Sequence, residues 1–230
     1  MVNGSGLLAR AFALEFAHNS FVCVHASGVS NSSCTDMSEF AREREQLSKA
    51  LIGWQNADVF LYFGTCSVAD PTAVGTPYVQ HKLAMEQLVQ MHPKHLILRL
   101  PQIAGITNNP HTLLNTLRRH LVTGLEFPIW RNAFRNIIDI EDVLSIASNY
   151  LKDPLKRQIC LNIANPYCYT ISDIVASMER ATGAKMYLRW VERGAHYPID
   201  VSEMLSSGYA EHCQFGADYL DRVTKKYYAV

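Results

Sequence analysis

The chain has 230 residues, 48% of them apolar, with 21 basic and 21 acidic side chains and no formal net charge. This is enough apolar material for a full buried core, and neutrality without a long Lys/Arg run argues against disorder and against nucleic acid as the main ligand. No apolar run approaches the roughly 20 residues that span a bilayer, and the first residues lack a secretory signal's basic and apolar parts, so a soluble, cytoplasmic protein with no membrane partner is expected.

In chain order, Asn3, Gly4, Ser5 and Gly6 open onto Leu7, Leu8 and Ala9 and an alanine-rich helical pattern that runs to Phe16. A Gly-x-Gly-x-x-Ala turn between a strand and a helix lets backbone amides approach a pyrophosphate at the helix N-terminus. Gly4, Ser5, Gly6, Leu7 and Leu8 are therefore candidate cofactor contacts, although an ordinary Gly-Ser turn has the same composition. Only three residues precede Gly4, fewer than the usual five or six of a strand, so the first strand is short or incomplete.

Phe21, Val22, Cys23, Val24 and His25 form the next strand candidate, which passes into a small-residue loop of Ala26, Ser27, Gly28 and Val29. Residues 38 to about 54 read as a helix, with Arg42, Glu43, Arg44 and Glu45 as a solvated face without a function. Val59, Phe60, Leu61, Tyr62 and Phe63 make a buried strand, which places Thr65 and Ser67 at its carboxyl end, where open α/β sheets build their sites. Thr76 then offers an N-cap hydroxyl before Pro77, starting a helix that carries Tyr78 and Lys82 on one face. An ammonium group beside a phenol favours the phenolate, which fits the tyrosine for proton transfer.

Pro93 stops that helix, and His95 to Leu100 make a second buried strand leading into Pro101 and Gly105. Leu113, Leu114, Leu117 and Leu121 lie at helical spacing ahead of Gly124. Arg135, Asn136, Ile137, Ile138, Asp139, Ile140, Glu141, Asp142 and Val143 follow; Arg135 is suited either to a diphosphate or to a surface ion pair with Asp139 or Glu141. Ile159, Leu161 and Ile163 alternate as a strand, Thr170 and Asp173 can cap a helix that Gly183 ends, and Met186, Leu188 and Trp190 alternate again. The six scattered cysteines contain no Cys-x-x-Cys pair, which fits reduced thiols better than disulfides or a zinc site.

Thr65, Tyr78 and Lys82 together resemble the Ser/Thr, Tyr-x-x-x-Lys centre of the short-chain dehydrogenase/reductase superfamily. The later segments sharpen this to the extended branch, the NAD-dependent epimerase/dehydratase family. His25, Ala26 and Ser27 resemble its His-x-Ala-Gly segment along the cofactor, and Arg99, Pro101 and Gly105 its Arg-x-Pro-x-x-x-Gly passage, with Pro101 bordering the nicotinamide. Residues 135–143 resemble its Arg-Asp-Phe-Ile-x-Val-x-Asp-Val passage, whose arginine faces a nucleotide-sugar diphosphate.

The resemblance implies an α/β fold, a Rossmann-like parallel sheet with a small C-terminal lobe. Because only Asn19 and Ser20 separate the first helix from the His25 strand, the family's second and third strands should be missing, and with them the acid that holds the adenosine ribose. A shortened cofactor domain is expected over residues 1–163, with 105–135 contributing to the substrate side, and a substrate-binding lobe over 164–230. Arg189, Arg193, His196 and Tyr197 are available there, with nothing in the spacing to select among them.

The implied activity is NAD- or NADP-dependent oxidoreduction or epimerisation of a nucleotide-activated sugar. Tyr78 would relay the proton, Thr65 orient the oxygen, Ser67 substitute for it or touch substrate, Arg135 bind substrate, and Lys82 lower the Tyr78 pKa while touching the nicotinamide ribose. No metal ligand is assigned, and a homodimer is compatible with the reading. The Asp-Glu pair of the family's dehydratases is replaced by Cys66 and Ser67, which disfavours elimination. The alternative is a non-catalytic dinucleotide- or nucleotide-sugar-binding sensor or scaffold protein.

Overall fold

A computed structural model describes residues 1–229. A two-residue strand, β1 (Val2–Asn3), leads through the glycine turn to α1 (Leu7–Phe16), then β2 (Val22–His25) and α2 (Met37–Gly53). β3 (Val59–Thr65) runs into a 3-10 turn and α3 (Pro77–Gln90), followed by β4 (His95–Leu100), β5 (Gln102–Ala104), α4 (Leu113–Thr123) and β6 (Phe127–Trp130). After β7 (Phe134–Arg135) and β8 (Ile137–Asp139) come α5 (Ile140–Lys152), β9 (Ile159–Asn162), β10 (Tyr169–Thr170), α6 (Ile171–Thr182) and β11 (Leu188–Val191). Two helices, α7 (Ser202–Ser206) and α8 (Tyr219–Tyr228), follow.

The main sheet is parallel with the order β1-β2-β3-β4-β9. β1 lies at its edge, and the segment between β2 and β3 supplies a helix and no strand, as expected for a sheet without the second and third strands of the larger fold. The side-chain period of two explains why β3 reads as continuously apolar. Val59, Leu61 and Phe63 pack with Phe12 and Phe16 of α1 and Val143, Ile146 and Tyr150 of α5. Phe60 and Tyr62 face the other way, onto Leu47 of α2 and Met85 and Val89 of α3.

A second core gathers Leu114, Leu117 and Leu121 of α4, Ile174 and Met178 of α6, and Tyr219, Leu220 and Val223 of α8. Three two-stranded ladders frame it, β5 with β8, β6 with β11 and β7 with β10. Met204, Ala210 and Cys213 return to the main core, so the segment after β11 touches both. All six cysteines are free, and among the described residues no helix is long and apolar enough to cross a membrane.

Candidate active site

One cavity of about 730 Å³ runs along the carboxyl ends of the sheet strands, within the range of small-molecule sites. Its first wall is the turn into α1. Gly4 holds φ +128°, and a Cβ there would stand 2.5 Å from the Ala26 carbonyl oxygen, so only glycine lets this turn lie against the end of β2. Gly6 is the N-cap of α1 and its side chain, being absent, caps nothing, which leaves the first-turn amides to the cavity lined by Ser5, Gly6, Leu7 and Leu8. Gly4 lies outside the lining.

The loop after β2 supplies His25, Ala26 and Ser27 to the same cavity. His25 is 2% exposed with both ring nitrogens lacking a hydrogen-bond partner, and burial pushes its pKa down to about 4 against the pull of Glu43. The amide-lined turn, the close approach at Gly4 and these orphaned nitrogens fit a polar ligand such as the diphosphate and ribose of a dinucleotide. Beyond β1 the sheet has no further strand to extend this wall.

At the end of β3, Thr65 is buried, and its hydroxyl oxygen accepts the Ser67 amide at 3.1 Å, leaving the hydroxyl proton free to donate elsewhere. Thr76 caps α3 by accepting the Val79 amide at 3.4 Å, with Pro77 in the first turn, as the sequence predicts. This cap sets Tyr78 and Lys82 into the cavity wall, both buried. Ser67, Pro101 and Arg135 line it too. Arg135 forms no ion pair among the described residues, because Lys226 takes both Asp139 and Glu141. Its guanidinium donates to the Phe134 carbonyl, at 2.7 Å.

The expectation of a solvated face on α2 holds for Arg42, Arg44 and Glu45 and is corrected for Glu43. Phe40, Glu43 and Leu47 form the buried stripe of that helix, and a carboxylate on such a stripe needs partners. Glu43 Oε1 accepts from Lys82 Nζ at 3.0 Å and from the Tyr62 hydroxyl at 2.8 Å. Oε2 accepts from the Val29 amide at 2.8 Å and meets His81 Nε2 at 3.0 Å. Burial alone would raise the Glu43 carboxyl, but the His81 and Lys82 interactions outweigh it and hold it well below the usual carboxylate range. Lys82 is likewise desolvated, yet Tyr62 and Glu43 hold its ammonium above the ordinary range, and it sits 4.9 Å from the Tyr62 ring centroid.

Composition and spacing also missed Asp70 and Trp130, which line the cavity. Among the four lobe residues the sequence leaves unselected, Tyr197 alone lines it: Arg189 pairs with Glu126 at 2.9 Å, and His196 packs edge-on against Phe134. Burial pushes the Tyr197 phenol up to about 12. The Cys66 thiol is buried against the Arg99 carbonyl and pushed up by that burial. Away from the cavity, ligand atoms of Asp142, His212 and Cys213 lie within 4.8 Å of one another, and Tyr219 already donates to Asp142 at 2.5 Å.

No protein-family model and no curated protein sequence matches the chain. Solved structures do match in fold. MoeE5 in complex with UDP-glucose and NAD superposes with a TM-score of 0.74 at 17% identity, over 90% of this chain and 78% of that one. UDP-glucose 4-epimerase of Thermus thermophilus in complex with NAD gives 0.73 at 14% identity, over 96% and 80%. UDP-glucose-4-epimerase of Stenotrophomonas maltophila, with bound NAD and formylated UDP-arabinopyranose, gives 0.71 at 19% identity, over 95% and 79%. At these identities the likeness establishes a shared fold, that of NAD-dependent epimerases and dehydratases.

Proposed function

We propose that this chain is an NAD(P)-dependent oxidoreductase or epimerase acting on a nucleotide-activated sugar. One observation carries the reading: a single cavity gathers the uncapped start of α1, the Thr65 hydroxyl, Tyr78, Lys82 and Arg135, which has no ion-pair partner among the described residues. The fold neighbours bound to NAD and UDP-sugars support it and favour NAD as the dinucleotide. In this reading the amides of Gly6, Leu7 and Leu8 hold the dinucleotide diphosphate, the His25 to Ser27 loop and Pro101 flank it, and Lys82 reaches the nicotinamide ribose. The bound dinucleotide supplies the hydride acceptor and donor.

Thr65 donates its free hydroxyl proton to the reacting sugar oxygen and holds it toward Tyr78, with Ser67 beside it as a further hydroxyl. Tyr78 accepts the sugar hydroxyl proton as the carbonyl forms and returns it when the carbonyl is reduced. Arg135 offers paired donors to the sugar's diphosphate, and residues 164–230, with 105–135, form the substrate side. Cys66, buried with its thiol donating to the Arg99 carbonyl, supplies no acid for elimination, so reduction or epimerisation is favoured over dehydration.

The test is turnover of a panel of UDP- and dTDP-sugars with NAD and NADP, followed by nicotinamide absorbance and by product NMR. Replacing Tyr78 with Phe should lower turnover by roughly a hundredfold or more while leaving the fold intact. Thr65→Val should cost more than Ser67→Ala. Full activity in the Tyr78→Phe variant would overturn the mechanism. The missing adenosine-side strands favour a second reading, a sensor or scaffold that binds dinucleotide or nucleotide sugar without turnover; saturable binding with no conversion of any sugar is its signature.

A further inference from the structure

Glu43 is a buried charge on the cavity wall that the proposed chemistry leaves unused. It borders the cavity together with Tyr62, His25 and Lys82, and its carboxylate reaches so far in that a Cβ on Gly28 would lie 2.7 Å from Oε1 and 3.1 Å from Lys82 Nζ. A burial this close to backbone fixes both ends of the Glu43–Lys82 pair. Every side facing Glu43 is accounted for: Lys82 and His81 from α3, Tyr62 from β3, the Val29 amide from the loop after β2, and His25, not hydrogen-bonded, at the end of β2. The structure thus sets a carboxylate 3.0 Å from the one ammonium in the nicotinamide end of the proposed site.

Resting on the dinucleotide reading above, we propose that Glu43 is a positioning residue that neutralises Lys82 and thereby sets the cavity's preference between oxidised and reduced dinucleotide. The physical reason is charge. The oxidised nicotinamide ring carries one positive charge and the reduced ring none, so a lone ammonium beside it would disfavour the oxidised form. Paired with Glu43, the ammonium becomes one end of a dipole, whose field falls off faster than that of a single charge. The carboxylate also holds Lys82 in one place, since a long, flexible stem without a partner loses its orientation.

The test is the ratio of dissociation constants for NAD⁺ and NADH, measured by titration with the intact chain, its Glu43→Gln and Lys82→Met variants and the double variant. One uncompensated charge at roughly 8 Å in a medium of effective dielectric about 20 changes the ratio by tenfold or more. Glu43→Gln should therefore shift preference about tenfold toward NADH, Lys82→Met about tenfold toward NAD⁺, and the double variant should return to within about threefold of the parent, because the charge sum is restored. A purely structural role for Glu43 would weaken both ligands alike and leave the ratio unmoved. Should Glu43→Gln fail to fold, Lys82→Met and the charge-balanced double variant make the same comparison. Ratios that stay within about twofold in every variant that binds overturn this proposal alone, whereas failure of the parent chain to bind either form overturns it together with the dinucleotide reading.

Discussion

Burying a carboxylate among one ammonium, one imidazole, one phenol and one amide couples Glu43 to stability as well as to the site. Removing one partner of a buried pair leaves the other desolvated and unmatched, so Glu43→Gln should destabilise the fold by about 3–5 kcal/mol in urea denaturation at neutral pH. The Glu43 carboxyl is depressed in the fold, so its contribution is complete above its ordinary value of 4.5 and fades as pH falls below it. The gap between parent and variant should accordingly narrow only in strong acid. His25 acts at milder pH. Its pKa falls from 6.5 to about 4 in the fold, so the unfolded chain binds the extra proton between those values and stability is lost as pH drops through that window, by roughly 3 kcal/mol at most. His25→Phe should flatten the stability profile between pH 6.5 and 4, read by denaturation at stepped pH.

At the scale of elements, the start of α3 decides where Tyr78 and Lys82 stand. Thr76 donates to the Ala73 carbonyl at 2.7 Å and accepts from the Val79 amide, tying the helix to the preceding turn on both sides. Thr76→Ala should lower stability by about 1 kcal/mol, Thr76→Ser should restore most of it, and thermal or chemical melts would read the difference. α6 shows the same local logic in full, with a capping box between Thr170 and Asp173 and a left-handed glycine, Gly183, at its end. α2 differs. Its Asp36 cap and charged exposed face are ordinary, while its buried stripe carries a carboxylate that only a neighbouring helix and strand can satisfy.

At the scale of the whole molecule, the parallel sheet stops at β1, so the cavity keeps the diphosphate and nicotinamide ends of the proposed dinucleotide site without the strands that would flank adenosine. Ligand atoms that the protein does not contact add little to affinity. NAD should therefore bind with a dissociation constant above about 1 µM, and nicotinamide mononucleotide should bind within about tenfold of it, because the adenosine half adds few contacts. Calorimetric titration of both ligands checks this; submicromolar binding of NAD and NADP with a large loss for the mononucleotide would show that the adenosine half is held after all.

Periodicity and local chemistry in the sequence were enough to locate β3, β4, α3 and α6 and their caps, because side-chain alternation, N-cap hydroxyls and terminal glycines act over a few residues. The spacing between α1 and β2 likewise determined the short sheet, since the five residues between them cannot hold two strands and their connections. The same sequence also held a clue to Glu43 in the Phe40, Glu43, Leu47 stripe, but a charge on an apolar stripe has two outcomes, solvation or a distant partner, and only packing selects between them. Lys82 is 39 residues away along the chain and Tyr62 is 19. Arg135 was open in the same way until Lys226, far along the chain, claimed Asp139 and Glu141. Local rules determined the elements and the Thr65, Tyr78, Lys82 spacing; the charge balance of the site was decided by contacts between elements, which no local rule contains.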